Sequence, residues 1–183
     1  DASMLFTKNP YFEDKAWKPL KREYVVCGLR SDGKLESSAI NFSDLPIRHV
    51  LELLQAYYPS FSENKRFLLK RTKDYWKNRI SSDLIFPKDN FWFFFNDSQF
   101  VGYAVLERKE TLVEIKEAIW VDEATLDDIV LKASQVAESN GLEKIGMFGP
   151  WLKRYDMVSV FDQRDRNSYS EDLMLLPLKA NVE

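Results

Sequence analysis

The chain has 183 residues, 26 of them Lys or Arg and 29 Asp or Glu, for a formal net charge of −3. That length can bury a substantial single core, and the near balance of charge excludes a global electrostatic pull toward nucleic acid or membrane. One cysteine, Cys27, excludes an internal disulfide and points to a cytoplasmic or other reducing compartment, while one histidine, His49, leaves no Cys/His zinc set and at most one candidate for a Ser-His-Asp relay.

Residues 1–21, DASMLFTKNPYFEDKAWKPLK, carry Pro10, Pro19 and scattered aromatics without a sustained period, and read as an extended arm or linker ahead of a domain over 22–183. Asp1-Ala2-Ser3 opens no signal peptide, and a start without methionine is expected of a piece of a longer protein. REYVVCGLR and KLESSAINF flank SDGK, where Asp32-Gly33 tolerates the positive φ of a tight turn, so a hairpin is predicted. In FSDLPIRHVLELLQAYYP, Leu45, Val50, Leu53, Leu54 and Tyr57 recur at helical spacing. Ser43 or Asp44 is placed to cap this first helix, Pro46 to sit in its first turn, and Pro59 to stop it. RFLLKRTKDYWKNRIS then sets Phe67, Leu68, Tyr75, Trp76 and Ile80 on one side of a second helix and basic residues on the other.

NFWFFFND and QFVGYAVLE read as two strands joined by a tight polar turn, followed by a third, TLVEIKEAIWV; the run Phe91 to Phe95 reads as core on both faces of the sheet. A third helix follows, with Leu126, Ile129, Val130, Ala133, Val136 and Ala137 at spacings of three and four and Gly141 where a left-handed cap is wanted. EKIGMF is a short strand, GPWLKRYD a loop, and MVSVFD and DLMLLPLKA are two last strands around the polar QRDRNSYSE. Hairpins make antiparallel neighbours, whereas the helix between TLVEIKEAIWV and EKIGMF requires a parallel crossover. The expected fold is α/β, in the α+β layered sense: a mixed, mainly antiparallel sheet flanked by helices. No run approaches the roughly 18 apolar residues of a membrane span.

This order of elements, with the text DSQFVGYAVLERKETLVEIKEAIWVDEATLDDIVLKASQVAESNG, resembles the GNAT acyltransferase superfamily. The shared features are a polar turn, a Gly-Tyr strand, a strand ending in Glu117-Ala118, and a helix opening at Asp122 and Ala124. The stretch Asp-Leu-Pro before the first helix and RTKDYWKNRI after it are similar to the second half of tandem-GNAT N-acetyltransferases, and the resemblance spans residues 38 to 178. It implies acetyl-CoA as the family's acyl donor. In catalytic members the strand-to-helix corner carries a glycine-rich loop, because backbone N–H groups must approach a pyrophosphate at a helix N-terminus and a side chain would block them. Here no glycine lies between Gly102 and Gly141, and Asp122, Glu123, Asp127 and Asp128 crowd the helix start. Acids there complement the helix dipole and repel phosphate, so no cofactor is expected in this domain by the usual loop.

The resemblance also suggests roles for individual residues. Tyr155 falls where family members carry a tyrosine that can protonate the departing thiolate, the alternative being a packing tyrosine. Glu114 and Glu117 lie on a strand of the kind that supplies the general base, the alternative being a solvated sheet face. The first two helices border the acceptor site in the family, so Lys65, Arg66, Lys70, Arg71, Lys73, Lys77 and Arg79 form either a solvated helix face or a surface for an acidic substrate, partner subunit or nucleic acid, with Arg71 and Lys77 the residues singled out. Arg166, Ser168 and Tyr169, on the last polar loop, are candidates to touch an acceptor. Three readings follow: the non-CoA-binding, acceptor-shaping half of an N-acetyltransferase whose catalytic GNAT half is in cis or in a partner subunit; a stand-alone acetyl-CoA-dependent enzyme with an atypical cofactor loop; and a non-catalytic protein-interaction module.

Overall fold

The computed structural model describes residues 2–7, 18–19, 23–31, 33–63, 71–81, 88–148, 152, 155, 157–162 and 172–177. Ten strands and three α-helices are assigned among them. The strands are β1 (Ala2–Thr7), β2 (Lys18–Pro19), β3 (Glu23–Gly28), β4 (Ser38–Asn41), β5 (Phe91–Asn96), β6 (Gln99–Arg108), β7 (Val113–Trp120), β8 (Lys144–Phe148), β9 (Met157–Asp162) and β10 (Asp172–Pro177). The helices are α1 (Ile47–Glu63), α2 (Lys73–Ser81) and α3 (Glu123–Ser139). A seven-stranded sheet has the order β4-β5-β6-β7-β8-β3-β9, and β1, β10 and β2 form a second, three-stranded antiparallel sheet. Every pair in the large sheet is antiparallel except β7 with β8, which α3 connects as the crossover requires. Among the described residues no helix is long and apolar enough to cross a membrane.

Alternation along the strands assigns the two faces. Phe94, Ala104, Leu106, Val113 and Ile115 pack with Leu126, Ile129, Val130, Ala133 and Ala137 of α3. Phe91, Phe93, Phe95, Phe100, Tyr103 and Val105 pack on the opposite face with Val50, Leu54 and Tyr58 of α1 and Trp76 and Ile80 of α2. The aromatic run of β5 is thus core on both faces. The β5–β6 turn places Asp97 and Ser98 at φ 45° and 72°, the paired positive values of a two-residue primed turn. At the C-terminus of α3, Gly141 (φ 69°) donates to the Glu138 carbonyl and Leu142 to that of Ala137, which closes the helix as a Schellman motif.

Three local expectations are corrected. β3 and β4 do not form a hairpin: β3 lies between β8 and β9, and β4 is the far edge of the sheet against β5. The sheet accepts β3 on both edges, and its Val25 and Cys27 are fully buried in the α3-side core, which outweighs a local turn preference. The connection is instead drawn along α3, where Arg30 N–H donates to Ser134 Oγ at 3.0 Å and the N–H groups of Glu36 and Ser37 donate to the Asp128 carboxylate at 2.9 and 2.7 Å. Pro59 does not stop α1; it is exposed and lies inside the helix, on a side where water can serve the carbonyl that loses its N–H partner. Nor do Ser43 and Asp44 cap α1, because they belong to a separate 3-10 turn over Phe42–Asp44 that Asn41 caps, and Pro46 sits just ahead of the first α-helical residue.

Candidate functional site

β7 ends at Trp120 and α3 begins at Glu123, so only Val121 and Asp122 make the strand-to-helix corner. Asp122 is extended, at φ −145° and ψ 178°, and its Oδ1 accepts the backbone N–H of Thr125 at 2.8 Å and the Thr125 hydroxyl at 2.7 Å. These two hydrogen bonds, the backbone one first, hold the Asp122 carboxyl below its ordinary range. Val121 N–H extends the ladder by donating to the Val101 carbonyl at 3.1 Å. Gly102 lies beneath the corner, where a Cβ would come within 2.4 Å of the Ile119 carbonyl oxygen and 3.1 Å of Thr125 Cγ2. The glycine here serves close packing against β7 and, less tightly, against α3. Of the remaining acids, buried Asp128 is the anchor for Glu36 and Ser37 described above, and Asp127 accepts the Tyr155 hydroxyl with Arg30 Nη1 3.6 Å away.

The second constellation lies on the α1/α2 face. β7 and β8 pair only from Val113–Ile145 to Ile115–Met147, and at that point the β6–β7 register shifts, so that Ile115 opposes Leu106 and Glu117 opposes Val105. The extra residue, Lys116, is a bulge. It turns Glu117 and Ile119 toward the same face as Tyr103. Arg71 grips Glu117 in a two-pronged pair: Nη1 donates to Oε1 and Nη2 to Oε2 at 3.1 Å. Nη1 also donates to the Tyr103 hydroxyl at 3.2 Å, and that hydroxyl donates to Glu117 Oε1. Three rings enclose the guanidinium, with Cζ 5.0 Å from each of the centroids of Tyr58, Tyr75 and Trp76. Burial followed by the Glu117 charge raises the Tyr103 hydroxyl well above its usual range. Burial opposes the charge on Arg71, but the hydrogen bond and charge of Glu117 outweigh it, and the guanidinium is held more firmly protonated than usual.

The other expected residues are dispersed. Glu114 is buried on β7, and its Oε2 lies 3.5 Å from Lys109 Nζ, which also meets Glu107 at 2.8 Å. Burial raises the Glu114 carboxyl despite that lysine. Tyr155 is half-buried against Asp127 rather than near Glu114 or Glu117, and Lys77 is exposed on α2. Arg166, Ser168, Tyr169, Lys65, Arg66 and Lys70 lie outside the described residues. Among the described candidates, Arg71 and Glu117, named separately in the sequence, are brought together. Sequence reasoning does not single out Tyr103 or Tyr58, and takes Asp127 only as one of the acids at the helix start; the signal for Tyr103 is its place opposite Ile119 in the same hairpin as Glu117.

No family model and no curated protein sequence matches the chain. Solved structures do. A GCN5-related N-acetyltransferase from Anabaena variabilis ATCC 29413 superposes with a TM-score of 0.60 at 12% identity, over 95% of this chain and 45% of that one. A conserved Enterococcus faecalis V583 protein designated a probable N-acyltransferase gives 0.64 at 11% identity, over 95% and 44%. A GCN5-related N-acetyltransferase from Kribbella flavida gives 0.56 at 14% identity, over 95% and 42%.

The chain has the GCN5-related N-acetyltransferase fold.

It spans less than half the length of these neighbours. In GNAT terms the β7–α3 corner is the place at which the resemblance to catalytic members calls for a glycine-rich phosphate loop. What stands there is a two-residue connection whose carboxylate already accepts the Thr125 amide.

Proposed function

We propose that this GNAT-fold domain is the acceptor-side, non-CoA-binding half of an N-acyltransferase, with acetyl-CoA held by another GNAT-fold domain in cis or in a partner subunit. The observation that supports this most is the Asp122 cap. A pyrophosphate at a helix N-terminus needs free amides and room for close backbone approach. At this corner the Thr125 amide is taken by a carboxylate, and the negative charge stands where the anion would rest. The residues at the corner do not fit the cofactor's diphosphate, so no acyl-transfer step is assigned to this domain alone. Its part in the reaction is to place an amine against a donor bound elsewhere, which lowers the entropic barrier by orientation.

Glu117 fits the same reading. A general base needs an unshielded carboxylate with a pKa near the working pH. Glu117 is instead held by a guanidinium and a tyrosine hydroxyl, so both of its oxygens are already hydrogen-bonded within the protein. The test is isothermal calorimetry of the 183-residue chain with acetyl-CoA. The expected result is no saturable heat up to about 1 mM ligand, a threshold corresponding to roughly −4 kcal/mol of binding. Stoichiometric micromolar binding would establish an autonomous cofactor site and refute the proposal.

A further inference from the structure

The enclosure around Arg71 has the parts of a cation receptor: a carboxylate at its base, a hydroxyl beside it, and aromatic faces around the charge. Glu117 and Tyr103 form the floor, and Tyr58, Tyr75 and Trp76 the walls. Four of these five side chains are largely withdrawn from solvent, whereas Tyr75 is 36% exposed, so the outer wall opens to solvent. Arg71 is not part of a helix or strand; it enters from the short connection before α2. Its fit is also incomplete. Both terminal nitrogens are matched, but Nε is buried with no hydrogen-bond partner among the described residues, a defect that costs free energy and weakens the resident's hold. The cage is complementary to the terminal end of a cation and not to the whole arginine side chain.

We propose that the Tyr58–Tyr75–Trp76 enclosure over Glu117 and Tyr103 is a binding site for small guanidinium or alkylammonium groups, occupied in this chain by Arg71 as an intramolecular, displaceable ligand. The inference needs no acyl donor and stands whether or not the acyltransferase reading holds. It makes the Arg71 connection a self-occupying plug: a cation supplied in trans competes with it, and displacement frees the segment leading into α2. An ordinary structural ion pair leaves the same carboxylate-lined cavity when its arginine is removed, so the wild type distinguishes the two: there an added cation must compete with Arg71 itself.

The test is chemical complementation of Arg71→Ala, read by thermal unfolding with methylguanidinium chloride as the probe and sodium chloride at equal ionic strength as the reference. Methylguanidinium is expected to raise the melting temperature of Arg71→Ala, or to restore folding if the variant is unfolded in buffer. Its apparent affinity should exceed that for the wild type by about tenfold or more, since the wild-type cage is already filled. Arg71→Ala/Glu117→Gln, which leaves no buried carboxylate unpaired, should fold and show no such rise. Equal responses of Arg71→Ala to methylguanidinium and sodium chloride would overturn the proposal, and so would a wild type that responds to methylguanidinium no more than to sodium chloride. So would a rise of the same size in the double variant.

Discussion

Asp122 occupies the one position where helix capping and anion binding compete for the same amide. Because its cap is made, replacing it should cost helix stability: Asp122→Ala is expected to lose about 1 kcal/mol by urea denaturation, and Asp122→Ser, which keeps an acceptor, much less. Its carboxyl titrates lower in the fold than its ordinary value of 3.8. The stabilisation is therefore present above that value and is lost as pH falls through the lower folded one. Glu114 behaves in the opposite sense. Burial raises its carboxyl above 4.5, so ionising it at neutral pH penalises the fold, and the penalty disappears when the acid is protonated. Glu114→Gln should therefore melt higher than the wild type at pH 7, with the difference shrinking as pH falls through the raised folded value and vanishing below 4.5. A constant difference across that range would contradict the assignment. At the cage, Glu117→Ala strands a buried guanidinium and should cost roughly 3–5 kcal/mol, against about 0.3–0.5 for breaking the exposed Arg48–Glu52 pair on α1.

At the scale of elements, the β6–β7–α3–β8 unit is the part that sequence described best. Period-two alternation in β6, apolar spacings of three and four in α3, and Gly141 as its stop are local signals, and local interactions satisfy them. The β3–β4 misreading has the opposite cause. A turn-forming Asp32-Gly33 is a local preference, whereas β3 is placed by non-local pairing with β8 and β9 and by burial on the α3-side core. The loop that follows is held by side chains of α3 some ninety residues away, which no window of sequence displays. Gly102 gives a test at this scale. A methyl group at Gly102 would collide with the β7 backbone at the Ile119 carbonyl and press on Thr125 of α3, and so Gly102→Ala should cost about 1–3 kcal/mol through overpacking. At Gly28, where an added Cβ meets nothing within 4 Å, Ala should be close to neutral. Equal effects at the two sites would show that β7 and α3 do not close over Gly102.

For the molecule as a whole, the GNAT fold is reached at 11–14% identity to these solved neighbours, so the layered pattern is shared where individual residues are not. The missing glycines at the corner were visible in the sequence, because absence of a residue type is a one-dimensional fact. The meeting of Arg71 with Glu117 was not, since it joins a connection before α2 to a bulged strand 46 residues later. A carboxylate on the inward side of a strand does demand a partner, but sequence alone offers seven basic candidates between residues 65 and 79. The proposed function rests on one point: in the first turn of α3 the Asp122 carboxylate holds the Thr125 amide that a diphosphate would need. The most direct measurement is an amide-resolved NMR titration of the chain with coenzyme A, following Glu123, Ala124, Thr125 and Leu126. Those four signals are expected to stay in place at millimolar ligand, and saturable shifts centred on Thr125 would contradict the closed corner.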